Sequence, residues 1–266
     1  MTRAPVVIVT GASAGIGRAT AARFARDGAA VVIAARSRER LDRLTARLQS
    51  RFGVEVLVQR CDVREAEDIG RLIAATINRF GRIDVLVNNA GYGLYGLVED
   101  TPDQEFRDLL ETNLLGAHRA IRAALPHMRR QGSGHIVNVG SVVGKRGWPY
   151  HGAYAATKFA LTGLTQSLRA ELAGSGVSVT LVLPATTDSE FFDAARIVTP
   201  GYEPAAMLGR AQTPGQVAKA IVHSVGHPSA EVNTVPQMRI AQVLAEAFPA
   251  LAAKASELYY RRRSRT

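Results

Sequence analysis

Tyr154-Ala155-Ala156-Thr157-Lys158 sets a phenol and an ammonium four residues apart in a helix-forming stretch. That spacing puts both on one face, one turn apart. A free tyrosine, with a pKa of about 10, is a poor base at neutral pH. A neighbouring cation stabilises the phenolate and lowers that value, so the pair is a candidate proton donor and acceptor. Ser141 lies thirteen residues upstream, just past a strand-like segment at 135–140. Its hydroxyl can donate to a substrate oxygen. Asn113 interrupts a helical run, Glu111-Thr112-Asn113-Leu114. Asparagine is a mediocre helix former, so a kink or a polar task competes here with a plain solvent-facing side chain. Taken alone, a Tyr-x-x-x-Lys match is common on helices and usually carries no chemistry.

A second group of residues lies near the N-terminus. The apolar strand 6–10 runs into Gly11-Ala12-Ser13-Ala14-Gly15-Ile16-Gly17 and then into a helical stretch. Glycines allow a sharp turn and a close approach of backbone to a phosphate. The unpartnered N–H groups and dipole of the following helix favour an anion there. The turn therefore suits a nucleotide pyrophosphate. Its Gly-x-x-x-Gly-x-Gly spacing is neither the strict Gly-x-Gly-x-x-Gly fingerprint nor a phosphate loop ending in Gly-Lys-Ser/Thr. An ordinary glycine-rich turn is the competing view.

The second strand ends at Ala35-Arg36, with Arg38 beyond and no acid anywhere in 31–38. A fold that prefers NAD usually places an acid here to hold the ribose 2′-hydroxyl. An arginine instead grips a 2′-phosphate through paired charge-assisted hydrogen bonds. NADP is favoured over NAD, with Arg36 the stronger candidate. Asp62-Val63 ends the third strand, where the carboxylate either meets an adenine amino group or caps the next helix. Asn88-Asn89-Ala90-Gly91 ends the fourth, where two carboxamides and small residues suit close packing against a ligand or a plain turn.

Positioning these groups requires alternating strands and helices. Strand-like segments fall at 6–10, 30–35, 54–59, 83–88, 135–140, 177–183 and, more weakly, 230–234. They are short, apolar and rich in β-branched residues, as in a parallel sheet buried on both faces. Helical stretches fall at 15–27, 38–52, 65–80, 102–130, 153–173 and 214–225. The predicted fold is α/β, a doubly wound parallel sheet of about seven strands with helices on both faces. Residues 1–235 are read as one nucleotide-binding and catalytic domain, including an irregular substrate-loop region at 184–212, and 236–266 as a helical extension with a basic tail.

Composition narrows the function classes. The 266 residues are 47% hydrophobic and 21% charged, which suits a globular protein with a large core. Net charge is +10, and Arg261, Arg262, Arg263 and Arg265 account for four of those charges. Anionic small molecules or acidic surfaces fit this balance. No nucleic-acid-binding motif or metal site is predicted. A single cysteine, Cys61, excludes an intrachain disulfide, and a reducing, cytoplasmic setting is expected. The apolar run 6–9 is too short for a signal peptide, and no stretch is long enough to span a membrane.

Together these residues resemble the short-chain dehydrogenase/reductase family, in its short single-domain branch. The matching set is Thr10-Gly11-x-x-x-Gly15-x-Gly17, Asp62, Asn88-Asn89-Ala90-Gly91, Asn113, Ser141 and Tyr154-x-x-x-Lys158. Each motif is weak alone; the ordered set, spanning residues 5 to about 235, is specific. The resemblance implies that Tyr154 is the acid/base and that Ser141 positions the reacting oxygen. It implies that Lys158 holds the nicotinamide ribose and that Asn113 supports a proton relay. It implies a cofactor site built from Gly11, Ser13, Gly15, Ile16, Gly17, Arg36, Asp62, Val63, Asn89, Ala90, Gly91, Tyr154, Lys158, Pro184, Thr187 and Ser189. Two departures stand out. Pro184-Ala185 replaces the family's Pro-Gly, and Ser189 stands where a threonine is usual.

The implied protein is an NADP-dependent oxidoreductase interconverting a carbonyl and an alcohol. A non-catalytic NADP-binding regulator or scaffold is the alternative, and a sugar epimerase or dehydratase on the same fold is a third. Gly93, Leu94, Tyr95, the 148–150 loop, Phe191, Phe192, Tyr202, Met207 and Leu208 form the expected substrate wall, which favours a hydrophobic substrate. A homodimer or homotetramer is expected through helices 102–130 and 153–173, the latter offering Ala153, Ala155, Ala156 and Ala160. Beyond 236, Ile240, Val243, Leu244, Ala247, Phe248 and Leu251 recur at helical spacing, with a break expected at Pro249. An ordered, partly buried helix followed by a mobile arginine tail is predicted. It either packs on its own domain, docks on a partner subunit or makes peripheral contact with an anionic membrane.

Overall fold

A computed structural model describes residues 4–203 and 211–263. It alternates strands and helices as the apolar pattern predicts: β1 Val6–Thr10, α1 Gly15–Arg26, β2 Ala30–Ala35, α2 Arg38–Phe52, β3 Val56–Arg60, α3 Ala66–Phe80 and β4 Val85–Asn88. A two-residue strand follows, β5 Leu94–Tyr95, then α4 Asp103–Leu110, a π-helical turn Glu111–Leu115 and α5 Gly116–Gln131. Next come β6 Gly134–Val139, a short 3₁₀ turn Val142–Gly144, α6 Gly152–Glu171, β7 Val177–Leu183, β8 Arg196–Ile197, α7 Pro214–Gly226 and β9 Glu231–Asn233. Helices α8 Pro236–Ala247 and α9 Pro249–Arg263 complete the described chain.

Seven strands form one parallel sheet in the order β3-β2-β1-β4-β6-β7-β9. The order reverses between β1 and β4, which pair with Ile8 opposite Leu86 and Val9 opposite Val87. Alternate side chains of each strand point to opposite faces. One set packs with Ile69 and Leu72 of α3, Ala120 and Ala124 of α5 and Leu168 of α6. The other packs with Ala21 and Phe24 of α1, Leu41 and Leu44 of α2 and Val217 and Ile221 of α7. Burial on both faces explains why the strands read as unbroken apolar runs. Ligand sites of such sheets lie at the carboxyl ends of the strands beside the reversal, where Gly11 and Asn89 stand.

The predicted helix 102–130 is divided. The π turn around Asn113 separates α4 from α5, and Pro126 is accommodated inside α5. In the 184–212 region, β8 pairs with β5, Leu94 opposite Arg196. Met207 and Leu208 lie outside the described residues.

The C-terminal expectation needs correction. Pro249 does split the stripe into two helices, but the stripe is not partly buried: Ile240, Val243, Leu244, Phe248 and Leu251 are 54–68% exposed. The reason is that α8 rests mainly on α9 and on β9 at the sheet's edge rather than on a face of the sheet. Arg261 to Arg263 continue α9 instead of forming a separate tail, and Arg261 pairs with Glu257 one turn back at 2.9 Å. Arg265 lies outside the described residues. Ala153 and Ala155 of α6 are also turned inward, packed with Leu94 and Leu109. Only Ala156, Phe159 and Ala160 face outward in that stretch. Among the described residues no helix is long and apolar enough to cross a membrane.

Candidate active site

The glycine turn and the start of α1 are tied to β4 by side-chain hydrogen bonds. Asn89 Nδ2 donates to the carbonyls of Thr10 at 3.0 Å and Gly11 at 3.3 Å, while Thr10 Oγ1 accepts from the N–H groups of Asn89 and Ala90. The turn needs its glycines. A Cβ on Gly11, at φ 66°, would lie 2.8 Å from Ala90 Cα, and one on Gly17 would lie 2.3 Å from Gly11 O. Gly17 is thus a packing position that lets α1 start against the turn. Gly11, Ser13, Gly15 and Ile16 line a cleft of about 540 Å3, which runs on past Arg36, Asp62, Val63, Asn89, Ala90 and Gly91 to Ser141, Tyr154 and Lys158, and is closed on one side by Pro184, Thr187 and Ser189.

At the end of β2, Arg36 lines the cleft, whereas Arg38 turns to solvent and pairs with Asp42 at 2.8 Å. Arg40 lines the cleft in its place. Asp62 does not cap α3, whose N-cap position is Glu65. Its carboxylate pairs with Arg64 at 2.7 Å, and despite partial burial the hydrogen bonds from Arg64 hold it below the usual range. Arg64, a cleft residue, carries no motif that would reveal it in the sequence. Cys61 is buried, and burial, then Asp68 and Asp62, push its thiol up to about 12. It is inert at neutral pH.

Ser141, Tyr154 and Lys158 converge at the ends of β6 and α6. Tyr154 is 8% and Lys158 5% exposed. Lys158 Nζ donates to Val139 O at 2.9 Å and lies 5.7 Å from the centre of the Tyr154 ring. Ser141 lies beside Tyr154 at the cleft, where its hydroxyl favours the ionised phenol, and it caps the turn after β6 by accepting from Val143 N–H. Burial pushes the phenol up, against the smaller opposing effect of Ser141, and lowers Lys158 to about 8. Desolvation is the larger influence on the phenol, which holds its proton at neutral pH.

Asn113 does not line the cleft. It is buried beneath it, inside the π turn, which widens the helix enough to aim its carboxamide at the backbone of Tyr92. Oδ1 accepts from Tyr92 N–H at 3.0 Å, and Nδ2 donates to Tyr92 O at 3.0 Å and Thr157 Oγ1 at 3.3 Å. One side chain thus joins the loop after β4 to the helix carrying Tyr154 and Lys158.

The apolar wall of the cleft comprises Tyr95, Val142, Val143, Phe191 and Phe192, with the buried His151 beside them. Tyr95 stacks on Phe192 at 6.3 Å and meets His151 edge-on at 4.9 Å. Gly93 and Leu94 do not line the cleft, and Trp148, Tyr150 and Tyr202 form a separate cluster. Tyr150 stacks on Tyr202 at 4.3 Å and lies 5.8 Å from Tyr260, and Trp148 lies 5.3 Å from Tyr259. Tyr150 has φ 65° and is the one non-glycine residue with positive φ among the described residues, a strained conformation held by this clasp. Ala185 therefore has no positive φ, so alanine replaces glycine there without backbone strain. Thr187 Oγ1 donates to Ala185 O at 2.9 Å, and Ser189 Oγ lies 3.5 Å from a Cβ built on Gly15.

Residues 5–197 match the model of the short chain dehydrogenase family. The chain is 36% identical over 249 residues to the uncharacterized oxidoreductase YxnA of Bacillus subtilis (strain 168), covering 92% of this chain and 69% of that protein. A short-chain dehydrogenase/reductase of Burkholderia phymatum in complex with NAD superposes with a TM-score of 0.83 at 28% identity, covering 94% and 95% of the two chains. A short-chain dehydrogenase of Sphingobium yanoikuyae in complex with NADPH gives 0.80 at 31% identity, with coverage of 94% and 95%. The chain belongs to the short-chain dehydrogenase/reductase family and has its oxidoreductase fold.

Proposed function

We propose that this protein is an NADP-dependent oxidoreductase that interconverts a hydrophobic carbonyl compound and its alcohol. The observation that carries it is one continuous cleft with a glycine-turn anion seat and Arg36 at one end and a buried Ser141–Tyr154–Lys158 group at the other. A dinucleotide fits the residues present. Gly11 and Gly17 leave no room for a side chain where backbone must come close. The end of β2 presents Arg36 to the cleft with no carboxylate beside it on 31–38. Ser13 of the turn, Gly15 and Ile16 at the start of α1, Arg36 and Asp62–Val63 would hold the adenosine and phosphate portion, with Gly17 keeping α1 close against the turn. Asn89–Gly91, Tyr154, Lys158, Pro184, Thr187 and Ser189 would hold the nicotinamide portion.

The chemistry a bound nicotinamide dinucleotide supplies is transfer of a hydride to or from the carbon. The chain manages the proton and the geometry. Tyr154 holds its proton at neutral pH and releases it to the oxygen during reduction, so that hydride and proton together yield the alcohol. Ser141 donates to the same oxygen and steadies its developing charge. Tyr95, Phe191 and Phe192 exclude water from the reacting face and favour an apolar substrate. The intact set argues against a purely regulatory role. The outward residues Phe159, Ala156 and Ala160 of α6 suit contact with a second copy, which sedimentation at micromolar concentration tests.

NADPH should bind at least tenfold tighter than NADH, the about 1.4 kcal/mol that one charge-assisted phosphate contact supplies, and Arg36→Leu should remove most of the gap. Equal affinities in the parent would refute the cofactor assignment. Tyr154→Phe keeps the ring and removes the proton, so kcat on a responsive carbonyl should fall at least about 100-fold with NADPH binding retained. Near-parental turnover would place the proton source elsewhere.

A further inference from the structure

The segment after β7 crosses the cleft as a strap fixed at both ends. Near its start, Thr187 bridges to Gln212, with Asp188 N–H donating to Gln212 O at 2.8 Å. At its far end β8 pairs with β5, and Arg196 forms an ion pair with Glu105. Between these anchors the strap lays Ser189, Phe191 and Phe192 along the cleft. One further contact pins its middle. Glu190 Oε2 accepts from the N–H of Gly15, the first residue of α1, at 3.2 Å, and Oε1 pairs with Arg18 at 2.9 Å. A hydrogen bond from its own backbone N–H, then Arg18 and Gly15, keep this carboxyl below its usual range, so the seated group is an anion. The start of α1 has no acidic residue in its first turn and no side-chain cap. The carboxylate that complements its dipole comes from 175 residues away.

We infer that Glu190 is a positioning residue for cofactor admission, a latch that holds the strap closed by occupying the anion seat at the start of α1. The inference rests on the dinucleotide reading above, which puts a pyrophosphate on that same seat. Two anions cannot share one N–H and the same helix end without mutual repulsion. Dinucleotide entry therefore lifts Glu190 from Gly15 and releases the middle of the strap, whose anchored ends keep it over the cleft. Dinucleotide affinity is lowered by the strength of the latch, since the strap must first be released. Neither Glu190 nor Arg18 belongs to the group around Tyr154, so the latch acts on admission and release rather than on proton transfer.

The experiment compares the full chain with Glu190→Gln and Glu190→Ala. Amide hydrogen exchange without dinucleotide should quicken at Gly15 and across 186–197 in both variants, with α3 and α5 unchanged as internal controls. Titration with NADPH, followed by nicotinamide fluorescence, should show a Kd about threefold to tenfold lower in both variants than in the parent, with faster association in stopped flow. Unchanged exchange across 186–197 in both variants would refute the latch. Quickened exchange with an equal or higher Kd in both would refute the competition. If exchange quickens but neither NADPH nor NADH binds any of the three proteins, the latch is supported and the dinucleotide reading itself fails.

Discussion

Asn113→Ala tests how the π turn supports the site. The parent carboxamide satisfies both backbone groups of Tyr92, at 3.0 Å each, and donates to Thr157 Oγ1. Thr157 Oγ1 keeps its own donation to Tyr154 O at 2.8 Å, so it loses little. The Tyr92 N–H and carbonyl lose their partner in a part-buried place, at about 1–3 kcal/mol for each group left unpaired. Partial access to water puts both at the lower half of that range, for a total of about 2–4 kcal/mol. A chain of this size loses about 2–4 °C in Tm per kcal/mol, so Tm should fall by roughly 5–15 °C. Urea unfolding followed by circular dichroism gives the free energy directly. Asn113→Asp keeps the acceptor but faces a buried carboxylate toward the Tyr92 carbonyl. It should be at least as destabilised at neutral pH and should partly recover in acid, as the carboxyl takes up a proton it can donate. An alanine variant within about 0.5 kcal/mol of the parent, the range of an ordinary surface substitution, would refute the idea that this side chain holds the loop to α6.

Two further outcomes follow from the geometry. In Gly17→Ala the new methyl meets Gly11 O at 2.3 Å and Asn89 Nδ2 at 2.5 Å. Because α1 must back away from the turn, dinucleotide affinity should drop at least about tenfold in a protein whose circular dichroism is unchanged. His135 is buried against Thr180 Oγ1 at 2.9 Å, and burial lowers its pKa to about 4. The unfolded chain takes up this proton at about pH 6.5 and the folded chain only near 4. Stability is therefore full above pH 6.5 and declines as pH falls toward 4, by on the order of 3 kcal/mol. His135→Asn should flatten that decline in urea titrations run across this pH range.

The parts of the site that lie within one local element are legible in the residues themselves. The strand–glycine–helix junction, the Tyr154/Lys158 pair on one helical face and the arginine after β2 each announce their geometry through spacing. Asn113 also signals itself, because a poor helix former in a helical run marks the turn that the structure widens. What spacing does not carry is anything decided by distant contacts. The Glu190–Gly15 pairing joins residues 175 apart. The direction of the Tyr154 pKa depends on desolvation by the whole site, which outweighs the opposing effect of Ser141. The stripe on α8 is readable as amphipathic, but periodicity cannot say that α8 meets the sheet only at its edge strand.

The aromatic clasp gives the protein an optical handle of its own. Trp148 is the sole tryptophan in the chain, and it touches α9 through Tyr259 at one end of the loop that leads into α6. Selective excitation of the indole therefore reads one place only, the seam between the C-terminal helix and the loop ahead of Tyr154. Loosening of α9 would shift and dim the emission, while events confined to Arg36 would pass unseen. A label-free signal of this kind separates movements of the C-terminal helix from filling of the adenosine end of the cleft in a single cuvette.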